Sequence, residues 1–187
     1  MARLLYSLVI YLATPLILLR LLWRARKQPE YLQHLGERWG FYRTPVPPKT
    51  IWVHAVSVGE TRAAQPLIEA LQSAWPQHRI LLTGMTPTGR AAGSEVYGGQ
   101  VTQAYLPYDY PAAVDRFFSH FSPDFGVLME TEIWPNLLAG ARAPDSRDSR
   151  QRPAVGTFGA WLQSAAGTRG AGICRARCGR RADAGRC

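Results

Sequence analysis

Between residues 51 and 138 one pattern returns four times: a short apolar run, a turn carrying glycine or a carboxylate, then a stretch with helical spacing. The first run, Ile51-Trp52-Val53-His54-Ala55-Val56, passes through Ser57-Val58-Gly59-Glu60 into a segment where Leu67, Ile68 and Leu71 stand three and four apart. Apolar residues at that spacing share one helix face, whereas a short apolar run bounded by turn residues suits a buried strand. The later runs are 79–83, 101–106 and 125–130. Helices are predicted over 60–74, through Val96, over 111–121 and from 131 onward, with Trp75-Pro76 ending the first and Pro111 near the start of the third. Regular alternation of this kind implies an α/β fold, a parallel sheet covered by helices. A Rossmann-like domain is therefore expected over residues 51–139.

In such sheets ligands bind outside the carboxyl ends of the strands. Two acidic sites fall there: Glu60 after the first run, and Glu130 and Glu132 after the fourth. Paired carboxylates at one rim suit general-base work, one accepting a proton while the other orients or stabilises. An acid in a first helical turn is also favoured by the helix dipole, so position alone leaves catalysis and capping open. Gly59 lets the backbone approach a ligand. The Thr86-Pro87-Thr88-Gly89 loop offers hydroxyls and a helix start to an anion, or forms a plain capped turn. His54 lies inside a strand and reads as a core histidine. His34, His78 and His120 are scattered, and all three cysteines (Cys174, Cys178 and Cys187) lie in the tail, so neither a metal site nor a disulfide framework is expected. The first strand is followed by no G-x-G-x-x-G, and the chain has no Walker A pattern, which disfavours dinucleotide and P-loop chemistry.

Ahead of this domain, residues 4–23 are apolar apart from Ser7, Thr14 and Arg20, and Arg24, Arg26 and Lys27 follow. That length and those flanks predict a membrane anchor over 1–27, its basic end cytoplasmic. A buried helix of the soluble domain is the alternative. Residues 28–50 read as a basic and aromatic collar, with Arg38, Trp39, Tyr42 and Arg43, and a stiff linker at Pro45, Pro47 and Pro48. The collar is either a seat for anionic headgroups or an ordinary solvated surface.

Of the net charge of +9, +7 lies beyond Gly140, where ten arginines meet three aspartates. The basicity is thus a property of the tail and gives no strong case for nucleic-acid binding by the body. Lysine and glutamate vanish there, and the apolar strand pattern stops. Residues 140–187 are expected to be a disordered basic tail, or the product of a slipped reading frame.

The ordered set of Leu35-Gly36-Glu37-Arg38-Trp39-Gly40, Ile51 to Glu60, Thr86-Pro87-Thr88-Gly89 and Met129-Glu130-Thr131-Glu132-Ile133-Trp134-Pro135-Asn136 resembles the bacterial 3-deoxy-D-manno-octulosonic acid (Kdo) transferases. The resemblance covers their N-terminal half, from about Met1 to Leu138. It implies an inverting GT-B glycosyltransferase of two Rossmann-like domains with a membrane-attached N-terminus. Such an enzyme moves Kdo from CMP-Kdo to a lipid A precursor at the cytoplasmic face of the bacterial inner membrane. By the same resemblance Glu60 is the general base and Glu130 stabilises the transition state. Ser57, Gly59, Thr86, Thr88, Gly89 and Glu132 are expected on the acceptor side, with no metal and no cofactor. The second domain, which in this family holds CMP-Kdo, is expected to be missing, leaving a truncated and inactive form. A non-catalytic, membrane-anchored lipid-A-binding module is the alternative.

Overall fold

A computed structural model describes residues 2–45, 49–129, 134–142 and 154–157. The chain begins with helix α1 (Ala2–Lys27), followed by a 3-10 turn (Pro29–Leu32) and the single-turn helix α2 (Leu35–Arg38). Strand β1 (Thr50–His54) leads to α3 (Val58–Ala63) and α4 (Gln65–Ala74). Then come β2 (Arg79–Gly84), α5 (Pro87–Tyr97), β3 (Val101–Tyr105) and α6 (Pro111–Phe121). The order closes with β4 (Phe125–Leu128), α7 (Pro135–Arg142) and β5 (Ala154–Thr157). Among the described residues five strands run parallel in the order β3-β2-β1-β4-β5.

Both faces of the sheet are covered, as parallel sheets require. Alternate residues of β1 point to opposite cores. Ile51 and Val53 pack with Leu67, Ile68 and Leu71 of α4 and with Tyr97 of α5. Trp52 packs on the other side with Val114, Phe117, Phe118 and Phe121 of α6 and Leu137 of α7. Gly126 of β4 makes room for it: a Cβ there would stand 2.5 Å from the Trp52 ring.

The expected helix 60–74 is two helices. Pro66 has no N–H and its ring clashes with a preceding helical carbonyl, so the chain breaks at Ala64 and restarts with the proline in the new first turn. The expected collar is no free spacer. Arg116 donates to the Trp39 carbonyl at 2.8 and 3.1 Å, Tyr42 Oη donates to the Tyr105 carbonyl at 3.1 Å, and the Tyr108 amide donates to the Arg38 carbonyl at 2.8 Å. Arg38, expected at the surface, is buried.

Two short stretches of the expected tail are described: helix α7 runs past residue 140, and Ala154–Thr157 pairs with β4 from Phe125↔Ala154 to Leu128↔Thr157, while the rest of 140–187 lies outside the described residues. Four residues with one valine are too short for an apolar run to register. An edge strand is held through backbone hydrogen bonds to its neighbour, which sequence hydropathy does not report.

Helix α1 has a mean hydropathy of 2.0 over its best window and is long and apolar enough to cross a membrane, although only 11% of that window is buried. It runs through Pro15 without a break. Its inward stripe is small or polar: Arg3 Nε and Ser7 Oγ donate to Asn136 Oδ1 at 3.1 and 3.2 Å, and Thr14 Oγ1 meets Tyr110 Oη at 2.8 Å. Leu21 is buried, while Leu4, Leu5, Leu8, Leu12, Leu16, Leu18, Leu19 and Leu22 are exposed.

Candidate functional site

The chain builds the sheet outward from β1 through β2 to β3, then returns to the other side of β1 with β4. This reversal opens a crevice beyond the carboxyl ends of β1 and β4. The two ends are level, because the Met129 amide donates to the His54 carbonyl at 3.0 Å. Glu60 follows β1. Glu130 and Glu132 follow Met129 in sequence but lie outside the described residues.

Glu60 is held by its own loop. The Ser57 hydroxyl caps α3 by accepting from the Glu60 amide at 3.3 Å, and donates to Glu60 Oε1 at 2.6 Å. The Val56 amide donates to Glu60 Oε2 at 2.8 Å. Ser-x-x-Glu is the capping-box signature, here with the carboxylate reaching one residue further back than usual. Each oxygen keeps a free lone-pair direction, so capping and proton acceptance are compatible. A Cβ at Gly59 would meet only Ser57 Oγ, at 3.9 Å, so packing does not demand glycine there.

The Thr86 loop closes on this one. Thr86 Oγ1 caps α5 by accepting from the Gly89 amide at 3.1 Å and donates to the Val56 carbonyl at 3.4 Å. Gly89 is required by that approach, since a Cβ would lie 3.0 Å from Thr86 Oγ1 and 3.5 Å from the Val56 carbonyl. Thr88 is exposed, with its hydroxyl 3.4 Å from that of Thr86. Ser57, Gly59, Glu60, Thr86, Thr88 and Gly89 therefore form one rim. Gly89 serves its packing, and Thr88 faces solvent.

Beneath the rim lies His54, fully enclosed. Its Nδ1 is 2.9 Å from Thr83 Oγ1 and 3.1 Å from the Thr83 carbonyl, while Trp52 Nε1 donates to Thr83 Oγ1 at 2.7 Å. Burial lowers the imidazole to about 4, against the opposing pull of the Thr83 carbonyl and the Glu60 charge. His54 is thus neutral at pH 7 and supports the rim as a core residue. A crevice of about 10 Å³ under the rim, lined by Thr61, Thr83, Gly84, Gly89 and Tyr105 among others, has room for one water.

Sequence reasoning missed two organising carboxylates. Glu37 Oε2 accepts from Arg90 Nη1 at 2.9 Å and from the Tyr105 amide at 2.7 Å, tying α2 to α5 and β3. Asp109 caps α7 from a distance, accepting from the Asn136 and Leu137 amides at 3.0 and 2.8 Å. Burial raises the Asp109 carboxyl while those amides pull it down. Glu37 lies on a helix of one turn and Asp109 in the loop before α6, both too short for periodicity, so the only signal for Glu37 was its place in Leu-Gly-Glu-Arg. Among the described residues no group of three or more His, Cys, Asp or Glu side chains is placed to hold a metal.

A parallel α/β domain with this rim is a glycosyltransferase N-terminal domain: residues 33–147 match the family of 3-deoxy-D-manno-octulosonic-acid transferases (kdotransferase) over its N-terminal part. The chain belongs to that family. It is 44% identical over 160 residues to the 3-deoxy-D-manno-octulosonic acid transferase of Bordetella pertussis, covering 76% of this chain and 35% of that protein. It is 41% identical over 140 residues to the enzyme of the same name from Haemophilus influenzae, covering 74% and 33%. A third relative, from Chlamydophila psittaci, is 29% identical over 141 residues. The chain spans about a third of the length of these curated relatives.

Proposed function

We propose that this chain carries the acceptor side of an inverting GT-B glycosyltransferase, which moves Kdo from CMP-Kdo to a hydroxyl of a lipid A precursor. The reaction belongs to lipopolysaccharide biosynthesis, at the cytoplasmic face of the bacterial inner membrane. The observation that carries the reading is the meeting of the β1 and β4 ends at the switch point, with the Glu60 carboxylate fixed there by Ser57 and Val56. On this reading Glu60 takes the proton from the acceptor hydroxyl as that oxygen bonds to the anomeric carbon of Kdo. The bond to the phosphate of CMP breaks, and CMP departs with the electron pair. Glu130, which follows β4 in sequence, is assigned by the resemblance to support the charge that develops. Ser57 and Thr86 brace the loops, Gly59 and Thr88 face the acceptor, and Glu132 is assigned to the acceptor side by the resemblance alone. By the resemblance drawn above, the CMP-Kdo donor belongs to the part of the relatives outside the match. No step calls for a metal or a cofactor. On this reading helix α1 holds the domain at the membrane that supplies the lipid.

The capping geometry of Glu60 favours a second reading, a lipid-A-binding module whose carboxylate only caps a helix. One substitution separates the two. Glu60→Gln keeps the size of the side chain and one accepting oxygen but removes the base, and loss of a general base costs about 10²–10⁴-fold in rate. With the donor-binding part of the family joined to the chain, Kdo transfer should fall by that factor while retention of a lipid A precursor stays the same. Transfer at the unsubstituted rate in the Gln variant leaves Glu60 a capping residue, whereas acceptor binding with no transfer by the unsubstituted protein supports the module.

A further inference from the structure

Helix α2 is one turn long, yet its consecutive residues Glu37 and Arg38 are both buried. They hold the two ends of one rim loop. Arg38 Nη1 donates at 3.2 Å to the carbonyl of Met85, the residue before Thr86. Glu37 Oε2 accepts at 2.9 Å from Nη1 of Arg90, the residue after Gly89. The Tyr105 ring seats both arginines, with the Arg38 guanidinium 4.3 Å from its centre and that of Arg90 at 5.0 Å. Glu37 Oε2 also takes the Tyr105 amide at 2.7 Å, and its Oε1 lies 3.3 Å from His34 Nδ1. The 86–89 loop is thus gripped from behind, while Thr88 stays open to solvent.

The loop passes its position on to Glu60. Thr86 Oγ1 donates to the Val56 carbonyl at 3.4 Å, and the Val56 amide donates to Glu60 Oε2 at 2.8 Å. Gly89 comes so close that a Cβ on it would lie 3.7 Å from the Ser57 carbonyl carbon. A shift of the loop therefore moves Val56 and Ser57, the two residues that hold the carboxylate.

Stability does not call for a cation at residue 38. Arg38 is 2% exposed, its Nε and Nη2 have no partner among the described residues, and no carboxylate there lies within 4.0 Å of it. An apolar side chain of similar volume in such a place is often as stable or more so. What the guanidinium adds is a directed hold on the Met85 carbonyl.

We propose that Glu37 and Arg38 are positioning residues for sugar transfer: they clamp the two ends of the 86–89 loop and, through Thr86 and Val56, fix the direction of the Glu60 carboxylate. The proposal rests on the reading of Glu60 as the base. Both residues act through the loop rather than on the acceptor.

Glu37→Gln leaves Arg90 without its counter-charge and lowers stability whatever else it does, so Arg38→Met carries the test. In the full chain in neutral detergent, Arg38→Met should quicken amide exchange at Val56 about tenfold, the loss of one hydrogen bond to a carboxylate. Val53, inside β1, should exchange as before, and the unfolding midpoint should not fall. Thr86→Val should quicken Val56 by a similar factor, and the double variant no more than either, because both act on one contact. With the donor-binding part of the family joined to the chain, Arg38→Met should lower kcat about tenfold and leave KM for CMP-Kdo unchanged. A merely structural Arg38 would lower the midpoint and quicken Val53 and Val56 together, which overturns the clamp. Unchanged exchange at Val56, or effects of Arg38→Met and Thr86→Val that multiply independently, overturn it too. Glu60→Gln separates the clamp from the reading beneath it. Transfer at the unsubstituted rate by Glu60→Gln removes the base, and the part of the clamp in transfer with it. Slow transfer by Glu60→Gln beside full turnover by Arg38→Met overturns the clamp alone.

Discussion

Helices α6 and α1 are both rich in apolar residues, yet they meet opposite fates. Helix α6 buries Ala113, Val114, Phe117, Phe118 and Phe121 on one stripe, while polar Asp115, Arg116 and Ser119 keep to the other faces. Helix α1, at 26 residues the longer of the two, buries only Ser7, Leu21 and Ala25. Leu4 is 75% exposed and Leu12 73%. A helix apolar on every side has more apolar surface than one domain face can cover, so the remainder needs a second apolar medium. Hydropathy measures how much non-aqueous contact a helix needs, and the arrangement of its residues decides where that contact comes from.

The largest effect expected from this contrast is on folding. Phe117 is fully buried, with its ring centre 5.2 Å from Trp52 and 5.3 Å from Phe121. Phe117→Ala should destabilise the domain by about 3–5 kcal/mol in denaturant unfolding. Leu12→Ala should leave the unfolding midpoint in neutral detergent where it is and, with α1 read as a membrane anchor, weaken vesicle binding by about tenfold, since it removes apolar area only from the exposed face of the helix. Equal destabilisation by the two would erase the distinction drawn here.

The next effect tests how dry the sheet side is. His54 titrates at about 4 in the fold, against an ordinary value of 6.5. The unfolded chain therefore binds the proton more readily, and stability rises with pH across that window. The contribution is complete above pH 6.5 and is lost as pH falls, by roughly 3 kcal/mol at pH 4. Unfolding measured from pH 7 to 4 should show this slope, and His54→Gln should flatten it. A flat profile in the unsubstituted chain would mean that water reaches the imidazole.

The parts of the fold legible in the sequence are those where hydropathy and geometry share a period. The spacing of Val114, Phe117 and Phe118 predicts 111–121, and α6 has those bounds. Four of the five strands come from apolar runs, and the kinship came from motifs. Three things were not legible. Strand β5 is held by backbone pairing to the edge of β4. The burial of Glu37 and Arg38 depends on Arg90, Tyr105 and Tyr108, which are distant in sequence. The Ser57–Glu60 box was visible as Ser-x-x-Glu, but the hydrogen bond from the Val56 amide required the folded loop. At the rim, the four expected residues beside Ser57 and Glu60 that the structure describes lie together, whereas Glu130 and Glu132 fall outside the described residues.

The smallest effect gives the sharpest test, because hydropathy and geometry predict opposite signs. Thr14 Oγ1 meets Tyr110 Oη at 2.8 Å and also donates to the Ile10 carbonyl at 3.2 Å within α1. Tyr110 is 3% exposed, enclosed by Tyr11 at 5.1 Å and by a stacked Trp39 at 5.2 Å between ring centres. Thr14→Val keeps the shape and makes α1 more apolar, so burial alone would tighten the helix onto the domain. The substitution also leaves the enclosed Tyr110 hydroxyl without its partner, at a cost of about 1 kcal/mol. The bond inside α1 contributes little, since the Ile10 carbonyl keeps its place in the helix. Unfolding of the full chain in neutral detergent should therefore show Thr14→Val slightly destabilised. Tyr110→Phe should lose a similar amount, and the double variant little more than either, giving a coupling energy of about 1 kcal/mol. A stabilising Thr14→Val with no coupling to Tyr110→Phe would show that α1 is held by apolar burial after all, and the contrast with α6 would become one of degree.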